Sequence, residues 1–328
     1  MLALVALVCA AGCHGKRAAD NSATLRLGFF PNITHAPALV GLERGDFARG
    51  LAPISVAPKA FNAGPEAMEA LFAGALDAVY VGPAPAINGY LRSQGQVLVV
   101  VAGAAQDGAG LVVRPAANIK SASDLRGKKL ATPQLGNTQD IALRTYLHDQ
   151  NMKTTDKGGD VQVMPLANAD SFALFKRGQL DGAWVPEPWL SRLIDEAGGQ
   201  LFLDERDRWP GKHFPTTILL VTKKLAQERP EVVQKLVNAH ASTIAWMQAH
   251  DEEARALVDA ALQKWAKKKL PPQVLQDAWS RVRFTTELMP EAIDKQLSDG
   301  RALGLVPSGG DLKDFIDGRF LAAVPSTP

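Results

Sequence analysis

Short apolar runs alternate with stretches of helical periodicity from Leu25 as far as Val221. Leu25-Arg-Leu-Gly-Phe-Phe30 reads as a strand ended by Pro31-Asn32, and a helix-like stretch follows from about Ala36 to Phe47. Ile54-Ser-Val56 is a second strand, Asn62-Ala63-Gly64 a turn, and Pro65 starts a helix that runs to Ala73. A third strand ends near Val81, Pro83 to Arg92 is a helix, and Gln96 to Ala102 is a nearly continuous apolar run, hence a buried strand. Leu111–Arg114 is a short strand, and Lys129-Leu-Ala-Thr132 opens a second β-α series. That series predicts a helix over Thr138–Gln150, a strand over Val161–Met164 and a helix over Asp170–Arg177. Thr217–Val221 reads as a strand returning to the first series. From Lys223 the pattern turns helical, at about 230–249, 252–267, 271–280 and 290–303. Trp246, Trp265 and Trp279, spaced among Leu, Val and Ala on those helices, read as core.

One phrase occurs twice. Gly74-Ala-Leu-Asp-Ala-Val-Tyr-Val81 and Gly178-Gln-Leu-Asp-Gly-Ala-Trp-Val185 share the frame G-x-L-D-x-x-aromatic-V, and each runs into a Pro-containing turn. Gly supplies the left-handed residue that ends a helix, and the Pro turn opens the next one. Two copies indicate two similar α/β lobes, each a mostly parallel sheet flanked by helices, with a ligand cleft between them where strand C-termini meet helix N-termini. The expected division is a first lobe of residues 24–113 plus 222–328 and an inserted lobe of 114–221. Crossings near Leu111–Arg114 and Thr217–Thr222 would serve as the hinge.

Charge changes little in this picture. The chain has 328 residues and a formal net charge of +2, with no basic block, so a nucleic-acid partner is not expected. Lys267-Lys268-Lys269 reads as a solvated helix end. The cysteines say more, because both, Cys9 and Cys13, lie in the first thirteen residues. The body therefore has no disulfide and no thiolate nucleophile. Residues 2–12 form an apolar run too short to span a membrane, as in a signal peptide, and Ala-Ala-Gly-Cys13 is similar to a bacterial lipobox. The expectation is a segment 1–23 that ends in a polar tether. Either Cys13 carries a lipid anchor to the membrane or the signal is only cleaved, and the body works at the extracytoplasmic face.

Candidate binding residues sit in the turns after the strands. Asn32, Thr34 and His35 offer hydrogen bonds after the first strand, beside the apolar Phe29 or Phe30. Asn62 and the Gly82-Pro83-Ala84 turn follow the second and third. Gly136, Asn137 and Thr138 join a strand to a helix whose free N–H groups attract anions. Glu187, between two prolines in Trp184-Val-Pro-Glu-Pro-Trp189, is the one carboxylate placed to accept from a ligand ammonium, with Trp184 as a wall. The competing reading of Glu187 is a charge that complements its own helix N-terminus. His213 would complete the cleft near the hinge. His148, His240 and His250 look like surface helix residues, and no metal or cofactor is expected from the spacings.

Taken together, the stretches Leu27-Gly-Phe-Phe-Pro-Asn32, Leu71–Pro85, Asp124-Leu-Arg-Gly-Lys-Lys-Leu-Ala-Thr-Pro133 and Gly182–Trp189 resemble the nitrate/sulfonate/taurine group of ABC-transporter substrate-binding proteins. The resemblance covers residues 24 to about 250. It implies a type II periplasmic-binding-protein fold, a small-molecule ligand such as an aliphatic sulfonate or taurine, a permease with its ATPase as partners, and a monomer. It also implies ligand contacts at Asn32, Asn62, Gly82, Asn137, Thr138 and Glu187. No Arg or Lys stands at these positions, which argues against a tightly held dianion and leaves monoanions, zwitterions and neutral heterocycles. The alternative is an enzyme on the same fold, akin to a pyrimidine-precursor synthase or a small-acid lyase. Only His35 or His213 beside Glu187 would then do acid–base work.

Overall fold

The computed structural model describes residues 24–324, and within them the alternation becomes two mixed sheets. Strands β1 (Thr24–Phe29), β2 (Ser55–Ala60), β3 (Ala78–Val81) and β4 (Leu98–Asp107) begin the first sheet. Strands β5 (Ala109–Val113), β6 (Lys129–Thr132), β7 (Gln162–Pro165), β8 (Gly182–Pro186) and β9 (Gln200–Asp204) make the second. The chain then returns to the first through β10 (Pro215–Thr222) and β11 (Val282–Phe284). The intervening helices are α1 (Ala36–Glu43), α2 (Asp46–Leu51), α3 (Gly64–Phe72), α4 (Pro83–Arg92), α5 (Thr138–Asp149), α6 (Asn168–Lys176) and α7 (Trp189–Asp195). After β10 come α8 (Lys223–Glu228), α9 (Pro230–Ala249), α10 (Asp251–Ala266), α11 (Pro272–Ser280) and α12 (Pro290–Ala302). Gly45, at φ 73°, splits the expected single helix over 36–47 into α1 and α2.

The sheets repeat one plan. The first runs β2-β1-β3-β10-β4-β11 and the second β7-β6-β8-β5-β9. In each, three strands are parallel and the strand that has just crossed between lobes, β10 or β5, is inserted antiparallel beside the third. The repeated phrase delivers β3 and β8, which hold equivalent places. Gly74 and Gly178 sit at φ 68° and 76°, and each ends its helix with the same paired turn bonds, Ala75 N to Ala70 O and Gln179 N to Leu174 O. Asp77 carboxylate accepts from Arg26 N at 2.8 Å, and Asp181 from Lys129 N at 2.9 Å. The two aspartates thus fasten the repeat to the first strand of each lobe.

Burial follows the two-residue period of a strand covered on both faces. In β3, Ala78 and Tyr80 join one core cluster while Val79 and Val81 join the other. In β8, Trp184 faces one layer and Ala183 and Val185 the opposite one. Val274, Ala278, Trp279 and Phe284 place α11 and β11 in the first lobe's core, against which Trp246 and Trp265 also pack. His240 is a correction to the surface reading. It is fully buried, with Nδ1 2.9 Å from Tyr80 Oη and Nε2 2.8 Å from Gly103 O, because its face of α9 lies on the sheet.

The crossings fall earlier than expected. Leu111–Arg114 and Thr217–Thr222 lie mostly inside β5 and β10, and the chain changes sheet at Asp107–Gly108 and again just before Pro215. The cause is local. Asp107 and Gly108 both adopt left-handed backbone, φ 67° and 70°, which breaks the strand that the apolar run begins. The two crossings are laced together there: Asp107 N donates to Phe214 O at 2.9 Å, and Asp107 carboxylate accepts from Phe214 N at 3.2 Å. The leader, Cys9 and Cys13 lie outside the described residues.

Candidate ligand site

The C-terminal ends of the parallel strands in both sheets point toward one another, and a cavity of about 30 Å³ lies where they meet. The first lobe contributes Phe30, Asn32, Thr34 and His35 after β1, Asn62, Ala63 and Gly64 after β2, and Gly82 and Pro85 after β3. The second contributes Pro133, Asn137, Thr138 and Gln139 after β6, Asn168 after β7 and Pro186 from the end of β8. Thr216 of β10 closes the lining, in which, among the described residues, no Asp, Glu, Lys or Arg takes part.

Electrostatics here come from the backbone. Gly64 is the first residue of α3, Gly82 precedes α4, Asn137 caps α5 and Asn168 opens α6. Four helix N-termini therefore converge, each carrying a fractional positive charge and N–H groups without intrahelical partners. Several side chains add donors. Asn137 Oδ1 accepts from Gln139 N at 2.8 Å, which leaves its NH2 to donate elsewhere. Asn32 Oδ1, Thr138 Oγ1 and Asn168 Oδ1 are buried and bond to no group among the described residues. A buried polar atom without a partner costs about 1–3 kcal/mol, so a site that keeps three is suited to a polar ligand. Amide O and N are interchangeable by a flip, and each of these groups has a hydrogen to give.

Among the described residues His35 is the one titratable group in the cavity, and burial lowers its pKa to about 3. The ring is neutral at ordinary pH. Its Nδ1 accepts from Phe30 N at 3.3 Å, which assigns the proton to Nε2. It enters as a neutral donor and not as a cation or a base.

Of the residues singled out from sequence, Asn32, Thr34, His35, Asn62, Gly82, Asn137 and Thr138 line the cavity. Five do not. Pro83 and Gly136 stand beside lining residues; Gly136 N is turned into its own helix, donating to Asp140 Oδ2 at 2.9 Å. Trp184 is sealed in the second lobe's core, its Nε1 donating to Glu205 Oε2 at 2.7 Å. His213 holds Asp107 through Nδ1 at 2.8 Å beside the crossing. Glu187 points away from the cavity and folds back on α7, accepting from Ser191 N at 3.1 Å and Ser191 Oγ at 2.9 Å. An acceptor at a helix N-terminus wins over an acceptor for a ligand. His35, His213 and Glu187 each have separate hydrogen-bond partners: Phe30 N, Asp107 and Ser191. Asn168 is among the polar lining residues that sequence reasoning did not single out, with Gln139 and Thr216. It follows β7 as Asn62 follows β2, and carrying the internal repeat through to the second turn of each lobe finds it.

The model of the NMT1-like family matches residues 18–262, three quarters of the chain. The chain belongs to the NMT1-like family. Its relatives include a putative binding protein of Brucella abortus, 30% identical over 182 residues that make up 55% of this chain and 53% of that protein. A putative aliphatic sulfonates-binding protein of Escherichia coli K12 is 26% identical over 200 residues, 60% of this chain and 59% of the other. The chain thus spans a little over half the length of the curated relatives it matches. The alkanesulfonate-binding protein SsuA of Xanthomonas axonopodis pv. citri, solved bound to MOPS, superposes with a TM-score of 0.73 at 19% identity, covering 87% of this chain and 95% of that one. At that identity the likeness establishes the two-lobed periplasmic-binding-protein fold of this NMT1-like chain.

Proposed function

We propose that this NMT1-like protein is the extracytoplasmic solute-binding component of an ABC importer. It closes its lobes on a small monoanion, in first place an aliphatic sulfonate, and hands it to a permease driven by a cytoplasmic ATPase. It is a carrier and not an enzyme. The observation that carries the reading is the cavity that combines four converging helix N-termini with no Asp, Glu, Lys or Arg among the described residues that line it. Helix termini and neutral donors hold a single diffuse negative charge well. A carboxylate in the lining would repel it, and there is none among the described residues. Phe30, Pro85, Pro133 and Pro186 give an apolar wall to a short alkyl tail. The relatives that bind sulfonates agree with this reading.

The same lining disfavours taurine. Glu187, the residue expected to pair with its ammonium, is bonded to Ser191, and nothing in the lining replaces it. A second reading, an inorganic monoanion such as nitrate, is favoured by the cavity's small volume of about 30 Å³. Thermal-shift titrations with ethanesulfonate, taurine, nitrate and bicarbonate separate these, since a ligand that binds only the folded state raises the melting temperature. Ethanesulfonate is expected to give the largest shift. Asn168→Asp supplies the charge test: it should abolish binding of ethanesulfonate and nitrate alike. Retained anion binding by that variant, or binding of an amine and no anion by the parent, refutes the anion reading.

A further inference from the structure

Glu187 is fully buried, and the cavity does not use it. Its carboxylate lies where three parts of the chain meet. Its own N–H donates to Gly108 O, at the first crossing, at 2.8 Å. Ser191, one turn along α7, gives it two hydrogen bonds. Opposite is Arg281, at the junction of α11 and β11 and therefore on the first lobe, whose Nη1 lies 2.7 Å from Ser191 Oγ and 3.4 Å from Glu187 Oε1. The bonds form a relay in which Arg281 donates to Ser191 Oγ, and the Ser191 hydroxyl donates to Glu187.

We propose that Glu187, Ser191 and Arg281 form a hinge-side latch that holds the two lobes closed. The relay spans the lobes, and it is tied by Glu187 N to the crossing about which they would turn. Rotation at Gly108 moves Glu187 and Ser191 away from Arg281 and cuts both interlobe bonds. The latch acts on closure itself and does not depend on which solute is bound.

Its strength varies with pH. The acidic groups close enough to Arg281 to share its charge are Asp195 on α7 and Asp204 at the end of β9; Asp277 on α11 and Glu196 add to the charge around Asp195, and Asp107 stands beside Gly108. Burial dominates over Ser191 and Arg281 and raises the Glu187 pKa to about 7. Opening returns the carboxyl to water and to its ordinary value of 4.5. The closed form therefore binds a proton more tightly than the open form, and closure weakens as pH rises from 4.5 through about 7. The ionised carboxylate opposes burial, whereas the neutral acid is retained without that cost.

Small-angle X-ray scattering of the full chain without ligand, at pH 6 and pH 8.5, tests this. The radius of gyration should be smaller at pH 6. Arg281→Gln should be expanded at both values, and Glu187→Gln, which mimics the neutral acid, compact at both. Ser191→Ala, which removes the relay with minimal change of shape, should match Arg281→Gln, with circular dichroism melting as the control for folding. Affinity for ethanesulfonate should fall roughly tenfold in Arg281→Gln, the scale of one or two hydrogen bonds. Equal radii across folded variants and both pH values overturn the latch. Expanded Arg281→Gln and Ser191→Ala variants with no ethanesulfonate binding by the parent sustain the latch and overturn the sulfonate reading instead.

Discussion

Gly82 and Thr138 belong to different lobes and meet across the cavity, which makes Gly82→Ala a perturbation of closure more than of folding. A Cβ placed on Gly82 falls 2.4 Å from Thr138 Oγ1, 3.4 Å from Thr138 Cβ and 3.6 Å from Thr216 O. Carbon–oxygen contact without repulsion needs about 1 Å more than the shortest of these. Neither partner can give way cheaply. Gly82 is fixed between β3 and α4 by Pro83, and Thr138 is the first residue of α5 behind the Asn137 cap. Overpacking of this kind costs about 1–3 kcal/mol. Because the clash exists only when the lobes are shut, that cost falls on the closed form and weakens binding by about 5- to 150-fold. The melting temperature without ligand should shift far less than the affinity. Isothermal titration with ethanesulfonate across a double-mutant cycle reads the effect. Thr138→Ala removes Oγ1, so its added cost in the Gly82→Ala background should be much smaller than in the parent. Additive losses, or a loss of folding stability as large as the loss of affinity, would refute the argument that these residues set how far the lobes close.

Other consequences are equally direct. Glu205 is buried against Trp184, and burial raises its pKa from 4.5 to about 7, so its contribution to stability is present below 4.5 and lost as pH rises to about 7. That shift is on the order of 3 kcal/mol at high pH, and Glu205→Gln should flatten the decline of melting temperature between pH 5 and pH 8. Asn168→Ala, which removes a lining amide without adding charge, should weaken ethanesulfonate binding by roughly tenfold while leaving the melting temperature without ligand nearly unchanged; equal binding by the variant would take Asn168 out of the site. With His35 held neutral by burial, anion affinity should show no rise between pH 8 and pH 5 from this residue, and His35→Gln should leave the titration curve's shape unaltered.

The sequence patterns carry most of the fold because this protein is built from strands buried on both faces, each punctuated by Gly or Pro. Lys129–Thr132, Pro83–Arg92 and the helix over 230–249 appear with the bounds that the patterns predict. Short edge strands are another matter. Gln200–Asp204 and Val282–Phe284 are held by one neighbour each, and their residues are too mixed in polarity to announce a strand. In the site, the residues read correctly are those whose backbone role places them: Asn32, Gly82 and Asn137 stand at helix starts after strand ends. Glu187 and His213 are legible as chemistry but not as direction. Whether such a side chain turns toward the cleft or toward Ser191 and Asp107 depends on contacts from distant parts of the chain.

The internal repeat explains why the cavity is neutral as well as where it lies. Each lobe offers the same three turns, after its first, second and third parallel strands, and every one of them leads into a helix or helical turn. Facing the two sets brings like ends together, so the site accumulates positive potential from the backbone without any cationic side chain. Lysines or arginines placed there would add to that potential. The control of affinity then moves away from the ligand, to how closely the lobes approach. Gly82 against Thr138 limits that approach at the cavity, Ile141 of α5 packs into the first lobe's core beside Leu297 and Val306, and Arg281 holds Ser191 at the hinge side. A substitution at Ile141 or Arg281, which lie outside the cavity lining, should change affinity for every ligand by the same factor, whereas one at Asn32, Thr138 or Asn168 should change the order of preference among ligands. Titrating the Arg281→Gln and Asn168→Ala variants against ethanesulfonate and nitrate in parallel separates the two classes, and a reordering of ligands by Arg281→Gln would show that closure and recognition are not separable in this protein.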